Sequence, residues 1–440
     1  MRGDLRLQDL LEIENDVGFL ELMCPTTGVL AWPAIRNDAF RSVMMDVLYE
    51  SKILVNLGHS PSLVRIGTGV TRSLLHNATR RPRQSSVLFY STGAGLIPKN
   101  GRLFNRHIDY FADCLPGDSW SIEALFGDTW PRLPRTNDRV SFSAPHRFAL
   151  AIGSRIACRP IHRNVARRLV DLFARRGREM FGWQLDTAQH NRLVEKCARR
   201  IAVYPITREF AARWIERIRP KLAVVEEGCY GHMAVFNATA RDLGVTVAEF
   251  AHGLVTKGHD VYNVAPLLAA STAYRRTQPN CFLGHGEWGN KQFNAPVERV
   301  AVGSPHRAAC LEKVEPFPGV RNNVLVIGDG IDTEMTLKFC EELSQLVAPT
   351  RRVVFRPHPL ERDHHQIANC DQDASYSIDL NPDVYASLRE SYAVVAEQST
   401  VLFEAVGIAE RIFVWKTAKS QFGLPSHPFA FFTDAKELGA

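Results

Sequence analysis

Short apolar runs rich in β-branched residues alternate with segments of helical periodicity along most of this 440-residue chain. Strands separated by helices pair in parallel, because each connection crosses over the sheet, and helices then cover both faces. The alternation therefore predicts an α/β fold. The predicted strands are Ser86–Ser91, Arg139–Ser143, Leu222–Glu226, Val245–Phe250, Cys281–Gly284, Val300–Gly303, Asn323–Ile327, Arg352–Arg356, Tyr376–Leu380, Tyr392–Ala396 and Arg411–Trp415.

Helical patterns lie between these runs, and residues 1–80 are also largely helical in pattern. The segment Val314–Asn322 contains two Pro and one Gly and separates two sets of strands, which is typical of a linker. We therefore predict two domains, residues 1–315 with a helical N-terminal extension and residues 322–440. The predicted helices include Arg36–Glu50, Asn164–Phe181, Gln189–Arg219, His232–Leu243, Glu334–Leu346 and Thr400–Gly407.

The composition limits the class of partner. An apolar content of 45% suffices for packed cores, and a net charge of +6 suits anionic ligands but is too small for a nucleic-acid binder. None of the nine cysteines forms a CxxC pair, which favours reduced thiols without a zinc site. The chain has no signal peptide and no apolar run of the roughly 18 residues that a membrane span requires. We predict a cytoplasmic protein that touches a membrane only from its inner face.

The segment Asn164–Phe181 combines one apolar face with many arginines. A basic amphipathic helix can lie on an anionic membrane. It can also pack on a domain core with its arginines in solvent, and most such helices do so. We prefer the packed interpretation.

Two adjacent acidic residues, Glu226 and Glu227, end the apolar run Leu222–Val225 and precede Gly228. Parallel α/β enzymes bind substrates at the carboxyl ends of strands, and side chains alternate there, so only one carboxylate needs to face a cleft. We expect a neighbouring charge and partial burial to raise its pKa toward that of a general base. The same group can instead attack an anomeric carbon as a nucleophile. Solvated loop acids are the non-functional alternative.

His252-Gly253 follows the predicted strand Val245–Phe250. An imidazole at this edge can donate a proton to a leaving phosphate or bind a sugar carboxylate, and glycine permits close backbone approach. A histidine that caps a turn is the alternative. The candidate catalytic residues are thus Glu226, Glu227 and His252.

In the second domain, the loop Arg356-Pro357-His358-Pro359 carries two prolines. Prolines restrict the backbone, so His358 and Pro359 have the fixed position that a ligand contact needs, and Arg356 offers a cation for a phosphate.

The segment Gln398-Ser399-Thr400 opens a predicted helix. Its hydroxyls and backbone N–H groups, at the positive end of the helix dipole, predict a phosphate site, although the hydroxyls can also be simple N-caps. Gly328 and Asp329, after the first strand of the domain, offer further donors. We assign these residues to donor binding.

Several common motifs are absent from the sequence. There is no GxxxxGK[ST] loop, no GxGxxG after the first strand of either domain, no GxSxG and no HExxH. No DxD motif directly follows a predicted strand; the triplet Asp371-Gln372-Asp373 precedes one. These absences argue against P-loop and dinucleotide enzymes and favour charge stabilisation by side chains, without a metal or a cofactor besides the substrates.

Three motifs occur in a fixed order: Glu226-Glu227-Gly228, His358-Pro359 and Ser399-Thr400. This order resembles that of bacterial sialyltransferases and polysialyltransferases, which are GT-B enzymes that use CMP-sialic acid. The resemblance implies two Rossmann-like domains facing a cleft, with the acceptor on the first and the donor on the second. It also implies that Glu226 is the base and that the other two motifs hold CMP.

Further segments resemble the β-Kdo transferases of bacterial surface polysaccharide assembly. They are Trp32-Pro33-Ala34-Ile35-Arg36, Asn105-Arg106-His107-Ile108-Asp109, the Glu-Glu-Gly-Cys-Tyr-Gly stretch and Ala251-His252-Gly253. These retaining GT-B enzymes also use a CMP-sugar, and a carboxylate attacks the sugar. The resemblance gives that role to Glu226 or Glu227, although the family nucleophile is an aspartate.

The resemblance implies transfer of Kdo from CMP-Kdo to a glycan or glycolipid acceptor, in lipopolysaccharide O-antigen or capsule synthesis. Three alternatives stay open: an inverting sialyltransferase, a phosphotransferase that uses CDP-glycerol, and a glycan-binding protein on a GT-B scaffold. The second arises because teichoic-acid polymerases share the His-Pro and Ser/Thr motifs.

Overall fold

The structure is a computed structural model that describes residues 5–49, 62–125, 129–313, 317–359, 361–362, 367 and 375–439. Two parallel sheets dominate it, one built before residue 302 and one after residue 322. The fold is therefore the predicted α/β class. The predicted boundary at Val314–Asn322 stays a prediction, and residues 314–316 lie outside the described residues.

The first sheet has seven strands in the order β5-β4-β1-β6-β7-β8-β9, all paired in parallel, and β2 and β3 form a separate antiparallel hairpin. Strands β4 and β5 follow β1 toward one edge of the sheet, and strands β6 to β9 follow it toward the other edge. This is the Rossmann order. The bounds are β1 Val87–Ser91, β2 Leu96–Lys99, β3 Arg102–Asn105, β4 Ser119–Glu123, β5 Val140–Phe142, β6 Leu222–Val225, β7 Thr246–Phe250, β8 Cys281–Gly284 and β9 Glu298–Ala301.

Helices cover this sheet and build the N-terminal extension. Their bounds are α1 Leu7–Ile13, α2 Gly18–Glu21, α3 Arg36–Val47, α4 Leu63–Thr79, α5 Asp109–Asp113, α6 Ala144–Ile156, α7 Pro160–Phe181, α8 Thr187–Ala202, α9 Tyr204–Ile218, α10 Ala234–Asp242, α11 Pro266–Ala270, α12 Thr272–Arg276, α13 Glu287–Asn290 and α14 Pro305–Leu311. Among the described residues, two short 3₁₀ turns, Trp32–Ala34 and Gly231–Met233, add to them.

The second sheet repeats the same strand order, β12-β11-β10-β13-β14-β15, again in parallel. Both sheets are therefore Rossmann-like, as expected. The strands are β10 Asn323–Ile327, β11 Arg352–Arg356, β12 Ser377–Ile378, β13 Ser391–Ala396, β14 Arg411–Trp415 and β15 Ala430–Phe432. The described helices are α15 Thr333–Val347, α16 Val384–Glu390, α17 Val401–Glu404, α18 Ala418–Gly423 and α19 Ala435–Gly439.

Several predicted elements differ from the structure, and α7 begins four residues before its predicted start at Asn164. The helix predicted over Gln189–Arg219 is two helices, because Pro205 lacks an N–H and stands in the first turn of α9. The strand predicted over Val300–Gly303 is β9, two residues earlier. The helix predicted to run to Gly407 ends at Glu404, and Gly407 adopts a φ of +79°.

The basic helix α7 packs on the core. Leu169 and Phe173 are buried, and the Phe173 ring lies 6.0 Å from the ring of Trp32, so the apolar face is covered by the N-terminal extension. This face cannot lie on a membrane, and the packed interpretation is confirmed. No helix in the described part of the chain is long and apolar enough to cross a membrane.

Candidate functional site

In each sheet, one pair of neighbouring strands is followed by connections that run in opposite directions. This pair is β1 and β6 in the first sheet and β10 and β13 in the second. Connections diverge there and leave a crevice beyond the carboxyl ends of the strands, where α/β proteins bind ligands. Glu226 directly follows β6, and Thr92 directly follows β1. Topology therefore places Glu226 at the expected crevice of the first domain.

Both oxygens of Glu226 are held by hydrogen bonds. The Thr92 amide and hydroxyl donate to Oε2 at 2.7 and 2.6 Å, and His107 Nδ1 donates to Oε1 at 2.8 Å. The residue is 2% exposed. These donors fix the carboxylate at the end of the strand.

The pKa of Glu226 moves opposite to the sequence expectation. Burial acts to raise it, but the hydrogen bonds and charge of His107 and the donors of Thr92 outweigh burial and lower the pKa to about 2. The expectation of a raised pKa was wrong for this residue, because the fold supplies three donors that the sequence did not reveal. Glu226 is thus an anion at any physiological pH.

Glu227 is placed differently. Its backbone is left-handed, with a φ of +57°, which is uncommon for a residue other than glycine and costs on the order of 1 kcal/mol. Its carboxylate is partly exposed and lies 3.4 Å from His232 Nε2. Burial and the charge of Glu226 raise the pKa of Glu227, as expected for this acidic pair.

A buried polar network supports His107. The Asn105 side chain accepts from the His107 amide at 3.0 Å and donates to Ser91 Oγ at 2.8 Å. Gly95 lies against this unit, since a Cβ there would come within 2.6 Å of Asn105 Oδ1. The orientation of His107 toward Glu226 is therefore set by the β2–β3 hairpin and the loop after it.

Beneath this network lies a buried ion-pair cluster. Arg135 binds Asp109 through two nitrogens, at 2.9 and 3.0 Å, and its Nε lies 3.0 Å from Glu123 Oε1. Glu123 ends β4 and is fully buried. Burial raises the pKa of Glu123 to about 7 against the pull of Arg135.

A third carboxylate, Glu249, lies in β7 next to the strand that Glu226 ends. Its oxygens accept from the Cys229 amide at 2.8 Å and the Tyr262 hydroxyl at 2.6 Å. No cation is among these partners, and burial raises the pKa of Glu249 to about 7. This carboxyl fixes the loop that follows Glu226 and Glu227.

The N-terminal extension braces the same loop. Gly231 lies so close to Pro33 that a Cβ would come within 1.6 Å of the Pro33 carbonyl oxygen. Arg36 binds Glu14 and donates to the Asn263 carbonyl at 2.7 Å, with both charged groups buried. The Trp32–Arg36 segment and the Glu226–Gly231 stretch, which carry the Kdo-transferase resemblance, are thus in contact.

His252 follows β7 and faces the same crevice, within electrostatic range of Glu226 and His107. Burial lowers its pKa to about 4, so the ring is neutral at physiological pH. Its Nδ1 is buried and has no protein hydrogen-bond partner. Buried polar atoms normally have a partner, so this nitrogen is well suited to bind a substrate group.

The segment after His252 joins the two domains. The Leu254 amide donates to Thr400 Oγ1 at 3.1 Å, and the Thr256 hydroxyl donates to the Gly423 carbonyl at 2.5 Å. Gly258 has no room for a side chain, because a Cβ would come within 1.8 Å of the Phe422 carbonyl oxygen. The Ser-Thr motif of the second domain therefore lies beside the His252-Gly253 segment of the first.

The His-Pro loop is held by Glu361. The His358 amide donates to Glu361 Oε1 at 2.6 Å, and Thr333 donates to Oε2 at 2.7 Å. Pro359 follows in the same loop. A Cβ at Gly328 would come within 2.3 Å of Glu361 Oε1, so this glycine allows β10 and the His-Pro loop to meet. Burial lowers the pKa of His358, against the nearby charges of Glu361 and Asp329.

Asp329 belongs to a buried charge cluster at the crevice of the second sheet. Lys419 Nζ lies 3.1 Å from Asp329 and 2.5 Å from Glu397. Although burial alone would lower the pKa of Lys419, the two carboxylates outweigh it and raise the pKa. Burial also raises the pKa of Glu397, against the pull of Lys419, so the two carboxyl groups of the cluster share one ammonium group.

The remaining residues predicted to bind the sugar donor already contact other protein groups. Arg356 is bound within its own domain, to Asp379, Ser387 Oγ at 3.0 Å and the Asn381 carbonyl at 2.8 Å. Ser399 Oγ accepts from the Val401 amide at 3.2 Å, whereas the N-cap residue of α17 is Thr400, whose side chain makes no capping bond. The Gln398 side chain fills the space over Gly423.

Sequence reasoning missed Thr92, Lys419 and the role of His107. Thr92 follows β1 in a Ser-Thr-Gly-Ala turn, and its position after the first strand of the domain was a usable signal. Lys419 lies on a short helix after β14 and has no local motif. The described residues contain no cluster of three or more His, Cys, Asp or Glu that could hold a metal ion.

No family model and no curated protein matches this chain. Among solved structures, the glycotransferase of kitacinnamycin is 11% identical, with a TM-score of 0.43 over 82% of this chain and 90% of that one. A variant of the wall teichoic acid polymerase TagF is 12% identical, with 0.42 over 92% and 88%. UDP-GlcNAc 2-epimerase from Neisseria meningitidis is 11% identical, with 0.38 over 76% and 84%. These similarities concern the general fold alone.

Proposed function

We propose that this chain is a glycosyltransferase that transfers a sugar, Kdo, from a CMP-sugar to a bacterial surface glycan. The proposal rests on one observation: the motif residues of the first domain lie beside those of the second. Glu226, His107 and His252 lie at the crevice of the first sheet, and Thr400 of the second domain binds the Leu254 amide two residues after His252. The residues that would act on the sugar thus adjoin those that would hold its nucleotide.

The charge state of Glu226 favours a nucleophile over a base. A carboxyl group with a pKa of about 2 is a weak proton acceptor at pH 7 but is fully ionised. In the first step its oxygen bonds to the anomeric carbon, and CMP leaves with the electron pair of the broken C–O bond. In the second step the acceptor hydroxyl attacks the same carbon, releases Glu226 and loses its proton. Two inversions give retention.

The neighbouring groups have assigned roles in this proposal. His107 and Thr92 position Glu226 by hydrogen bonds to both oxygens. Neutral His252, through its unpartnered Nδ1, binds an anionic group of the donor. A phosphate beside this ring would raise its pKa, so His252 can then take the proton of the acceptor hydroxyl.

Donor identity is tested by thermal shift and turnover with CMP-Kdo, CMP-sialic acid, CDP-glycerol and UDP-sugars. We expect stabilisation and CMP release with CMP-Kdo, because a ligand that binds only the folded state stabilises it. Preference for CDP-glycerol with transfer of phosphorus to the product, or for a UDP-sugar, would overturn the donor assignment.

The nucleophile is tested by intact-protein mass spectrometry after incubation with donor and no acceptor. We expect one added sugar, mapped by peptide digestion to Glu226, and no adduct in Glu226→Gln. An adduct on Glu227 would move the role to that residue. Turnover to the opposite anomer, without an adduct, would favour the inverting alternative.

A further inference from the structure

Two segments that pack together contain no acidic residue. Residues 62–85 and 144–163 contain five and four arginines and no Asp or Glu, whereas the whole chain has 47 acidic residues among 440. They include α4 and α6, which lie side by side at the β5 edge of the first sheet. A basic face of this kind attracts anionic surfaces.

The same two helices expose large apolar side chains. On α4, Leu63 is 86% exposed and Leu75 is 64% exposed; on α6, Ile156 is 78% exposed. Leu63 and Leu74 are eleven residues apart, as are Val64 and Leu75, and the α6 members are four apart, so they share one side of each helix. Ile161, in the first turn of α7, follows α6. The exposed apolar set, here called the α4–α6 face, is Leu63, Val64, Leu74, Leu75, Phe148, Ile152, Ile156 and Ile161.

The opposite sides of these helices are firmly seated. The Asn77 side chain donates to the Phe142 carbonyl and accepts from its amide, both at 2.9 Å, which fixes α4 along β5. Gly69 and Ser73 of α4 are buried. On α6 the His146 ring stacks on Phe210 of α9 at 3.7 Å. The apolar side chains are therefore exposed because the helices already bury their other faces.

We propose that the α4–α6 face binds the surface of an anionic lipid bilayer. Leucine and isoleucine side chains would enter the headgroup boundary, and arginines around them, including the exposed Arg65, Arg72, Arg155 and Arg159, would contact phosphates. A second copy of this chain is a poorer partner, because acid-free arginine faces repel each other across a two-fold axis. Nucleic acid would leave the aliphatic side chains in water.

A cavity lies between helix α6, which carries part of this face, and the candidate site. It has a volume of about 630 Å³, lies between α6, α8 and α9, and is lined by Leu150, Ala151, Arg200, Tyr204 and His232. His232 is the residue that lies 3.4 Å from Glu227. If the proposed function holds, an acceptor anchored in the bilayer would reach the carboxylates along this cavity.

The experiment is co-sedimentation of the full chain with vesicles of phosphatidylcholine alone or mixed with phosphatidylglycerol. We expect binding that rises with the anionic fraction and weakens with added salt. The double variant Leu75→Asp with Ile156→Asp should bind at least about tenfold more weakly, because charges replace inserted apolar groups. The matched control, Leu346→Asp, alters a residue of the second domain that is 47% exposed and should bind like the wild type.

Thermal unfolding of each variant checks the fold, and exposed positions should leave it unchanged within a few degrees. Absence of vesicle binding by the wild type, or equal binding by the double variant, would overturn the proposal. Two further results would overturn it: a dimer in sedimentation velocity, or tight RNA binding, if the double variant abolishes either one. None of these measurements uses a sugar donor, so failure here is distinguishable from failure of the proposed function.

Discussion

The two crevices hold their buried acids in different ways. In the first domain, Glu226 and Glu249 accept hydrogen bonds from backbone amides, hydroxyls and one imidazole. In the second, Asp329 and Glu397 share the ammonium group of Lys419, and Asp379 binds Arg356. Burial and hydrogen-bond donors, with the imidazole of His107, therefore set the pKa values of Glu226 and Glu249, whereas the acids of the second crevice are paired with Lys and Arg side chains.

Two buried carboxyl groups of the first domain have different pKa values. Glu226 has a pKa of about 2 and Glu249 has a pKa of about 7, although both are buried at adjacent strands. A site in which neighbouring carboxyl groups differ in charge suits acid–base or nucleophilic chemistry. The paired charges of the second domain suit binding, because each carboxylate lies beside a Lys or Arg side chain.

The largest expected effect follows from removing the charge of Glu226. Glu226→Gln should lower turnover of the sugar donor at least about 10³-fold, because the amide cannot act as a nucleophile. Turnover and thermal unfolding measure activity and folding. Glu227→Gln is the matched control and should lose about tenfold or less. Equal losses in both variants would show that the two acids do not have separate roles.

Lys419→Met tests the ion-paired cluster. Removal of the ammonium group leaves Asp329 and Glu397 buried without their cation, which should cost about 3 kcal/mol of unfolding free energy. Urea unfolding measures it. The control Lys416→Met alters an exposed lysine nearby and should change stability by less than about 0.5 kcal/mol. A small loss for Lys419→Met would mean that the carboxylates find other partners.

Glu249→Gln tests burial as the cause of a raised pKa. The folded protein holds a proton on Glu249 up to about pH 7, whereas the ordinary carboxyl pKa is 4.5, so this group reduces stability as pH rises between these values. The variant should lack that loss, and its stability relative to wild type should rise by on the order of 2 kcal/mol across the window.

Unfolding in urea at several pH values measures this difference, with Glu298→Gln on the exposed strand β9 as control. The control should follow the wild type at every pH. A constant offset between Glu249→Gln and wild type would show that Glu249 is ionised throughout, and the contrast with Glu226 would disappear.

The smallest effect concerns the link between the domains. Thr400→Val removes the acceptor of the Leu254 amide and should cost about 1 kcal/mol, seen as a roughly fivefold higher KM for the donor at similar kcat. Thr400→Ser retains a hydroxyl and should restore most of the loss. A wild-type KM for Thr400→Val together with a raised KM for Thr400→Ser would mean that the methyl group, not the hydrogen bond, matters.

Elements with a strong local signal were predicted from sequence. β1, β6, β7, β8, β10 and β11 are apolar runs, and they occur within one residue of their predicted bounds. β4 was missed because Ser119, Ser121 and Glu123 make it polar, yet every side chain in it is buried. Those polar groups are tolerated because Asn105 and Arg135, brought by other segments, lie against Glu123.

The properties of the candidate site also divide into those that local sequence patterns indicate and those that depend on tertiary contacts. The sequence determined that acids, a histidine and hydroxyls follow strands, because strand periodicity and turn residues are local properties. Only the tertiary structure decided the charge of each group, because burial and hydrogen-bond partners come from residues distant in the chain. Glu226 became a stable anion through Thr92 and His107, 134 and 119 residues away, and no local pattern encodes those contacts.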